Sequence, residues 1–456
     1  MITQLQAKNF KCWQDTGKLH FAPLTGLFGT NSSGKTSIIQ ILLMLKQTVE
    51  TTDRKRVLHL GDERSLTDLG TFYDVVHNHQ SDESIKIRLS WSVPEALEIV
   101  DPAKEKHATL FQVNDLSFET CISEHNNRLL VDSFSYFFGS QQFGMERKGD
   151  ITGKETYDLT HGQYPATRTK GRAWPLPPPI KCYGFPDQVK AYYQNMGFAS
   201  DLVLAFEDLF TNLSYLGPLR VYPQRSYVWA GERPPDVGTR GERAVPALLA
   251  ARAEKLTSPR KAVTRKRHVL IEKRIAEWLQ EAGMIHSFTL RPIAKGRKDY
   301  ELRVKKTARS SEVLITDVGF GVSQILPVVV LCYYMPPHST IILEQPEIHL
   351  HPSVQAALAD AFIDVVNERN VQIIVESHSE HFLRRLQRRI AEQKIPEKMT
   401  SLYFCRVENG VSRIERLDVD MLGQIRNWPK DFFGDEMGEL VAMTKAAASR
   451  SQTSPR

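Results

Sequence analysis

The chain has 456 residues and a formal net charge of +6, with 41% hydrophobic and 25% charged residues. These values lie close to the average of folded globular proteins, so they exclude disordered and fibrous classes. The longest apolar runs fall well short of the roughly 18 to 20 residues that cross a bilayer. The N-terminus alternates apolar and polar residues and lacks the regions of a signal peptide. We therefore expect a cytoplasmic protein without membrane contact.

In chain order the patterns predict an α/β protein in five parts. Residues 1–92 show two strands, a glycine loop and a helix, and residues 311–400 show the helix and strand alternation of a mostly parallel sheet. Between them we expect an inserted α+β lobe at 93–200, then an arginine- and glycine-rich loop followed by a basic helical region at 201–310. The end, 401–456, is expected to form a C-terminal tail region.

Basic residues are concentrated in one part of the chain. Residues 251–310 hold 17 Lys or Arg against 6 Asp or Glu. Part of this segment, HVLIEKRIAEWLQEAG, has the apolar spacing of an amphipathic helix. The side chains expected to face inward are Leu270, Ile271, Ile275, Trp278 and Leu279.

A phosphate-binding loop is predicted near the N-terminus. GTNSSGKT fits G-x-x-x-x-G-K-[ST], and it follows an apolar strand and precedes a helix, as that motif requires. In such a loop backbone N–H groups face the phosphates, Lys35 reaches the β- and γ-phosphates, and the Thr36 hydroxyl binds Mg²⁺. The residues predicted to bind ATP here are Gly29, Asn31, Ser32, Ser33, Gly34, Lys35, Thr36 and Ser37.

Two later strands each end in residues suited to nucleotide chemistry. TIILEQPEIHLHP is an apolar strand ending at Glu344, whose carboxylate is predicted to hold Mg²⁺ together with Thr36. VQIIVES is a second strand, and His378 after it is placed to sense a γ-phosphate at the carboxyl end of the sheet. Read alone, each strand is as easily structural, and only their combination with the loop favours a catalytic site.

A third element, TDVGFGVSQILP, lies between the two halves of the predicted site. Its glycines permit close approach of a backbone, and Ser323 and Gln324 open a helix whose N-terminus attracts phosphate. Gly321, Ser323 and Gln324 are therefore added to the predicted ATP-binding residues.

This ordered set of motifs resembles the ABC-type ATPase heads of the SMC, RecF and OLD group of AAA ATPases. Within that group YLGPLR, EQPE and the tail NWPKDFFGDEMGEL most resemble the PtuA ATPases of the Septu antiphage system. The resemblance implies an SMC-head-like P-loop fold with a mixed sheet. It also implies a dimer or higher homo-oligomer, in which Ser323 and Gln324 of one subunit close over the nucleotide of another.

One position departs from that group. Most such heads carry Asp then Glu at the end of the strand, the second to polarise the attacking water, whereas this chain has Glu344 then Gln345. Glutamine orients water but does not accept a proton, and loss of a general base costs about 10² to 10⁴ in rate. We therefore expect tight ATP binding with slow hydrolysis, unless Glu347 substitutes.

The resemblance implies the ATP-binding subunit of an antiphage defence complex whose ATP state controls an HNH nuclease partner. No nuclease activity of its own is expected. The alternatives are a RecF-like DNA-repair ATPase that binds DNA directly and a retron effector ATPase. Contact with DNA or RNA would use PRKAVTRKRHVLIEKR and the arginines of one helix, and a solvated helix face is the rival interpretation. Those arginines are Arg384, Arg385, Arg388 and Arg389.

Overall fold

The computed structural model describes residues 1–100, 109–151, 154–171, 174–261, 266–429, 432 and 441–446. The N-terminal part begins with short strands and the helix that follows the glycine loop. Its elements are β1 (Ile2–Phe10), β2 (Trp13–Asp15), β3 (Leu19–His20), β4 (Leu24–Gly29), α1 (Lys35–Glu50) and α2 (Phe72–Val75). The predicted order of strand, strand, glycine loop and helix is present.

Long antiparallel strands follow and extend the sheet that β1 begins. They are β5 (Ile85–Val100), β6 (Thr109–His125), β7 (Arg128–Phe138), β8 (Gln141–Ile151) and β9 (Lys154–Thr160). The sheet order is β2-β1-β5-β6-β7-β8-β9, with β3 paired to β1. The expected start of the inserted lobe at residue 93 lies inside β5, so the N-terminal strands and the lobe share one sheet.

Helices and short strands lead from the lobe to the second half of the core. They are α3 (Gln188–Tyr192), α4 (Ala199–Thr211), β10 (Leu213–Leu216), β11 (Tyr227–Val228), α5 (Ala244–Ala253), β12 (Thr257–Lys261), β13 (Lys266–Leu270), α6 (Ile271–Glu281), β14 (Ser287–Pro292), β15 (Asp299–Lys305) and β16 (Glu312–Leu314). Strands β11, β14, β15 and β16 form a small sheet, and β12 pairs with β13.

The predicted amphipathic helix is shorter than its apolar pattern. Leu270, which we expected to face inward, ends β13 and is 46% exposed. Ile271 begins α6, and Ile275, Trp278 and Leu279 are buried as predicted. A strand side chain and a helix side chain follow different periods, so an assignment of Leu270 to the helix put it on the wrong face.

The last elements complete a six-stranded mixed sheet. They are α7 (Phe320–Tyr334), β17 (Thr340–Glu344), α8 (Pro352–Arg369), β18 (Gln372–Glu376), α9 (Glu380–Ala391), β19 (Thr400–Glu408) and β20 (Val411–Arg416). The strand order is β10-β17-β18-β4-β19-β20, and each pair is parallel except β19 with β20. Strand β19 pairs directly with β4, so the region expected as a tail from residue 401 contributes to the central sheet.

Both faces of the six-stranded sheet are covered. Leu27, Ile342 and Ile374 pack on one face into a core shared with α1 and the antiparallel sheet. Ile341 and Ile373 pack on the other face with residues of α7, α8 and α9. All five residues of β17 and of β18 are buried, as is typical of parallel strands covered on two sides. The predicted α/β class with a mixed sheet is confirmed.

None of the helices in the described part of the chain combines the length and apolar character needed to span a membrane.

Candidate functional site

The glycine loop leaves the carboxyl end of β4 in a conformation that requires glycine. Gly29 has φ of 138°, and a Cβ there would lie 2.0 Å from the carbonyl oxygen of Cys405 on β19. Gly34, with φ of 97°, precedes the first residue of α1, and a Cβ there would lie 2.7 Å from Cys12 Sγ. Side chains are excluded at both positions, so the loop is held against β19 and the turn after β1.

Lys35 and Thr36 stand in the first turn of α1. The ammonium of Lys35 is buried and donates hydrogen bonds to the carbonyls of Gly29 and Thr30, at 3.1 and 2.7 Å. Burial lowers the pKa of Lys35, and the nearby carboxylate of Glu376 opposes that shift. A cation thus lies within the curve of the loop, at a helix N-terminus that attracts anions.

A cavity of about 430 Å³ opens over this loop. Most of the predicted ATP-binding residues line it, and Gln345 and His378 reach it from the ends of two neighbouring strands. Its lining consists of Lys11, Cys12, Asn31, Ser32, Ser33, Gly34, Lys35, Thr36, Ser37, Gln345, Glu376 and His378. Lys11, Cys12 and Glu376 were not among the predicted site residues.

Thr36 contacts a different carboxylate from the one expected. Its hydroxyl lies 2.9 Å from Oε2 and 3.2 Å from Oε1 of Glu376, the last residue of β18. Glu344 ends β17, one strand farther from β4, and its Oε1 accepts a hydrogen bond from the Tyr215 hydroxyl at 3.1 Å. Within the described residues the structure therefore brings Glu376, rather than Glu344, into hydrogen-bonding distance of Thr36.

The two glutamates form a buried acidic pair. Burial raises the pKa of Glu344 to about 7, and repulsion from Glu376 adds to the shift. Burial also raises the pKa of Glu376, against hydrogen bonds from Thr36 and Gln345 and the charge of Lys35. Two neighbouring carboxylates that are shielded from water repel each other unless a cation lies close by. The site is therefore suited to a divalent metal ion.

Gln345 turns the chain sharply at the end of β17. Its φ is 43°, and its N–H donates to the carbonyl of Glu376 at 2.8 Å. Glu347, the expected substitute base, is buried and accepts a hydrogen bond from the His378 N–H at 2.6 Å. It is not among the residues that line the cavity. The chain offers Gln345, and not Glu347, to the space above the loop.

His378 lines the cavity beside the Lys35 ammonium. Desolvation lowers the pKa of His378, and the positive charge of Lys35 lowers it further. The neutral imidazole is therefore favoured near pH 7, and it is able to donate one hydrogen bond and accept another.

The signature residues lie elsewhere in the chain. Gly321, Ser323 and Gln324 form the start of α7, and none of them lines the loop cavity. Ser323 is buried, and its hydroxyl donates to the carbonyl of Phe320 at 2.7 Å. Gln324 is buried as well. The structure therefore does not bring these three residues together with Lys35 within one chain.

Aromatic side chains surround the start of α7. Phe320 is 40% exposed and Tyr222 is 77% exposed, with their ring centroids 5.7 Å apart. The ring of His349 also lies 5.2 Å from that of Phe320. The helix N-terminus is therefore set in an exposed, partly apolar surface.

The four arginines of α9 are engaged in ion pairs. Asp360 of α8 pairs with two of them, and Glu380 and Glu392 pair with the others. The pairs are Arg384 with Glu380, Arg385 with Asp360, Arg388 with Glu392, and Arg389 with Asp360 and Glu392. In the second basic segment, residues 262–265 lie outside the described part of the chain.

Comparison with solved structures finds SMC heads, at low similarity. One is the SmcHead bound to the C-winged helix domain of ScpA, with 12% identity, a TM-score of 0.45, and coverage of 92% of this chain and 98% of that one. Another is the SMC head domain from Thermotoga maritima, with 11% identity, a TM-score of 0.39, and coverage of 92% of this chain and 99% of that one. A third is the Smc head domain with an extended coiled coil bound to the C-terminal domain of ScpA derived from Pyrococcus furiosus. It has 10% identity, a TM-score of 0.42, and coverage of 97% of this chain and 99% of that one.

Comparison with family models gives a firmer result, although no curated protein matches the chain. A protein family of unknown function, DUF3696, matches residues 395–443. The AAA ATPase domain model matches residues 1–157 and 264–383, which together exceed half of the chain and include the glycine loop and the strands that end in Glu344 and Glu376. The chain belongs to the AAA ATPase domain family.

Proposed function

We propose that this chain binds Mg²⁺ and ATP at the glycine loop and hydrolyses ATP slowly. We further propose that the bound nucleotide joins two or more copies and controls a partner HNH nuclease in a bacterial antiphage defence complex. The observation that carries the proposal is the cavity over the loop, where the buried cation of Lys35, a helix N-terminus and the carboxylate of Glu376 meet. These groups match the charges of a triphosphate and its metal ion.

Each group has a distinct task toward the nucleotide. The backbone N–H groups of the loop and the ammonium of Lys35 bind the β- and γ-phosphates. Thr36 and a carboxylate of the acidic pair supply the hard oxygen ligands that Mg²⁺ prefers. When bound, that ion neutralises charge on the phosphate oxygens. His378 lines the same cavity, and its proposed task is to donate a hydrogen bond to a terminal phosphate.

Slow hydrolysis follows from the residue above the loop. The Gln345 amide is able to orient a water molecule, but it does not accept the proton that the water loses on attack. Glu347 is held by the backbone of His378 and lies outside the lining of the cavity. The ATP-bound form is therefore long-lived, which suits a nucleotide that holds an assembly together.

Joining of copies is supported by the separation of the loop from the signature. The N-terminus of α7 lies among the exposed rings of Phe320 and Tyr222 rather than at the chain's own cavity. A second copy that covers this surface brings a helix N-terminus to a nucleotide bound on the first. Because Ser323 is buried in the single chain, we expect its hydroxyl to contact nucleotide only after this turn adjusts.

The defence role is supported by the resemblance of YLGPLR, EQPE and the tail to the PtuA ATPases. The RecF-like alternative requires a basic surface, and the α9 arginines are paired with Asp360, Glu380 and Glu392. Their contribution to phosphate binding is reduced accordingly, and the retron alternative has no specific structural support. We therefore prefer the defence complex.

One experiment tests both levels of this proposal. The tagged chain is recovered from its native locus with and without ATP, as wild type, Lys35→Ala and Lys18→Ala, and bound nucleotide and copurified proteins are measured. Lys18 is exposed and lies outside the cavity, so its variant is a matched control. We expect Lys35→Ala to lose ATP binding with the fold intact, because the other lysine that lines the cavity, Lys11, lies outside the loop and donates to Gln40.

The copurified proteins separate the candidate roles. An HNH protein that joins wild type and Lys18→Ala in an ATP-dependent manner supports the defence complex. Unchanged ATP affinity in Lys35→Ala contradicts the proposed nucleotide site. Recovery of the chain alone, with DNA bound only in ATP, contradicts the nuclease partner and favours the repair-type function.

A further inference from the structure

Two neighbouring strands of the central sheet end in glutamate at the same level. Glu344 of β17 and Glu376 of β18 are directly paired in a parallel register. Paired residues on parallel neighbours direct their side chains to the same face. Strand β18 lies between β17 and β4, which leads into the glycine loop. Glu376 is therefore one strand spacing, about 4.8 Å, nearer to the loop than Glu344.

The contacts of the two carboxylates follow from this strand order. Both oxygens of Glu376 lie within 3.2 Å of the Thr36 hydroxyl. Glu344 accepts a hydrogen bond from Tyr215 of β10, on the side away from β4. A hydroxyl has two lone pairs and one proton, so Thr36 is able to bind a metal ion and donate to Glu376 at the same time.

Gln345 fixes the position of Glu376. Its N–H donates to the Glu376 carbonyl at 2.8 Å, and both residues line the cavity over the loop. The positive charge of Lys35 attracts the Glu376 carboxylate. Glu376 is thus held between the residue that follows β17 and the first turn of α1, inside the cavity lining.

We propose that Glu376 is the carboxylate that holds Mg²⁺ beside Thr36, the role that the sequence suggested for Glu344. The inference rests on the proposed ATP site and assigns its metal ligand. Mg²⁺ binds in proteins through one or two carboxylates together with phosphate oxygens and water. Glu344, on the strand farther from the loop, then adds negative charge and helps to hold Glu376 in place. Gln345 acts as a positioning residue.

The test measures metal binding itself. Wild type, Glu376→Gln, Glu376→Asp, Glu344→Gln and the exposed control Glu146→Gln are titrated with Mn²⁺ in the presence of a non-hydrolysable ATP analogue, and free Mn²⁺ is read by electron paramagnetic resonance. Analogue affinity without metal is measured in parallel. Because Lys35 and the loop backbone bind phosphate without the ion, an unchanged metal-free affinity shows that a variant is folded.

We expect Glu376→Gln to weaken Mn²⁺ binding by about tenfold or more, since even supporting residues of metal sites cost 10- to 100-fold. Glu376→Asp retains the charge and shortens the reach, so a smaller loss is expected, and Glu344→Gln is expected to lose less than Glu376→Gln. Glu146→Gln is expected to match wild type, because Glu146 is exposed on β8.

Two results overturn the inference. Wild-type Mn²⁺ affinity in Glu376→Gln, with or without a loss of turnover, shows that Glu376 is not the metal ligand. A larger loss in Glu344→Gln than in Glu376→Gln returns the role to Glu344. Failure of the wild type to bind the analogue at all overturns the proposed function as well, and this outcome is distinct from the other two.

Discussion

The two large sheets of this chain share a hydrophobic core but use their side chains in different ways. In the antiparallel sheet, neighbouring strands run in opposite directions, so their carboxyl ends are divided between two edges. In the six-stranded sheet, β4, β17 and β18 run in parallel, so the residues that follow them meet at one edge. That edge holds the glycine loop, Glu344 and Glu376.

The interior of the antiparallel lobe is instead filled by aromatic rings. Phe206 of α4 lies against five of them, with centroid distances from 4.6 to 6.3 Å. Those rings belong to Trp91, Phe118, Tyr136, Tyr183 and Phe210. The lobe therefore contributes packing, whereas the central sheet carries the residues of the proposed nucleotide site. Substitutions in the two regions should therefore separate stability from nucleotide binding.

The largest effect on stability is expected at the centre of the lobe. Phe206→Ala removes a fully buried ring and leaves a cavity among its neighbours. Such changes cost about 3 to 5 kcal/mol of the free energy of unfolding. We expect chemical denaturation to show this loss, and we expect the folded fraction to bind ATP with wild-type affinity.

Leu204→Ala on the same helix is the matched control. Leu204 is 54% exposed, so its truncation is expected to change the free energy of unfolding by less than about 0.5 kcal/mol. An unfolding midpoint for Phe206→Ala equal to that of Leu204→Ala would show that the aromatic cluster is not a stabilising core. A loss of ATP affinity in folded Phe206→Ala would contradict the claim that the lobe serves packing and only the central sheet serves nucleotide binding.

The next effect concerns rate at the central sheet. Gln345→Glu places a proton acceptor above the loop, so we expect the turnover of ATP to rise by about 10², the lower end of the contribution of a general base. The added charge lies beside Glu376 and Glu344, and Mg²⁺ offsets it. Turnover is measured at saturating Mg²⁺ and ATP by release of phosphate.

Gln393→Glu provides the control for this change. Gln393 is exposed and has φ of 57°, close to the 43° of Gln345, so both variants introduce the same residue at a similar backbone angle. Gln393→Glu is expected to leave turnover unchanged. Equal rates in Gln345→Glu and wild type would mean that the missing acid does not limit hydrolysis.

Local patterns in the sequence were enough to predict the loop. The strand, the glycines and Lys35 lie within a dozen residues, and their geometry depends on nearest neighbours. The composition of the two sheets was harder to predict, because strand pairing joins segments that are distant in the sequence. The expected boundaries at residues 93 and 401 lie within β5 and β19, whose partners include β1 and β4. Composition does not reveal such pairings.

The same limit explains the acid that sequence reasoning missed. VQIIVES has Glu376 at a strand end, but the sequence-based prediction assigned the phosphate-sensing role to His378, two residues later. Only the strand order puts Glu376 between Glu344 and the loop. The one available signal was the likeness of TIILE and QIIVE, two buried runs that each end in glutamate. Parallel strands of equal length bring such ends together.

The smallest effects are expected from removing one hydroxyl in each sheet. Tyr136 of the lobe donates to the carbonyl of Tyr183 at 2.9 Å, and Tyr215 of the central sheet donates to Glu344 at 3.1 Å. Tyr136→Phe leaves a buried carbonyl without this donor, so we expect the free energy of unfolding to fall by about 1 kcal/mol while ATP affinity is unchanged. Tyr215→Phe withdraws support from a carboxylate of the proposed metal site, so we expect its Mg²⁺-dependent ATP affinity to fall about fivefold, the equivalent of about 1 kcal/mol. Denaturation and ATP titration of both variants check the pair. A loss of ATP affinity in Tyr136→Phe, or none in Tyr215→Phe, would show that the two sheets do not divide packing and chemistry in this way.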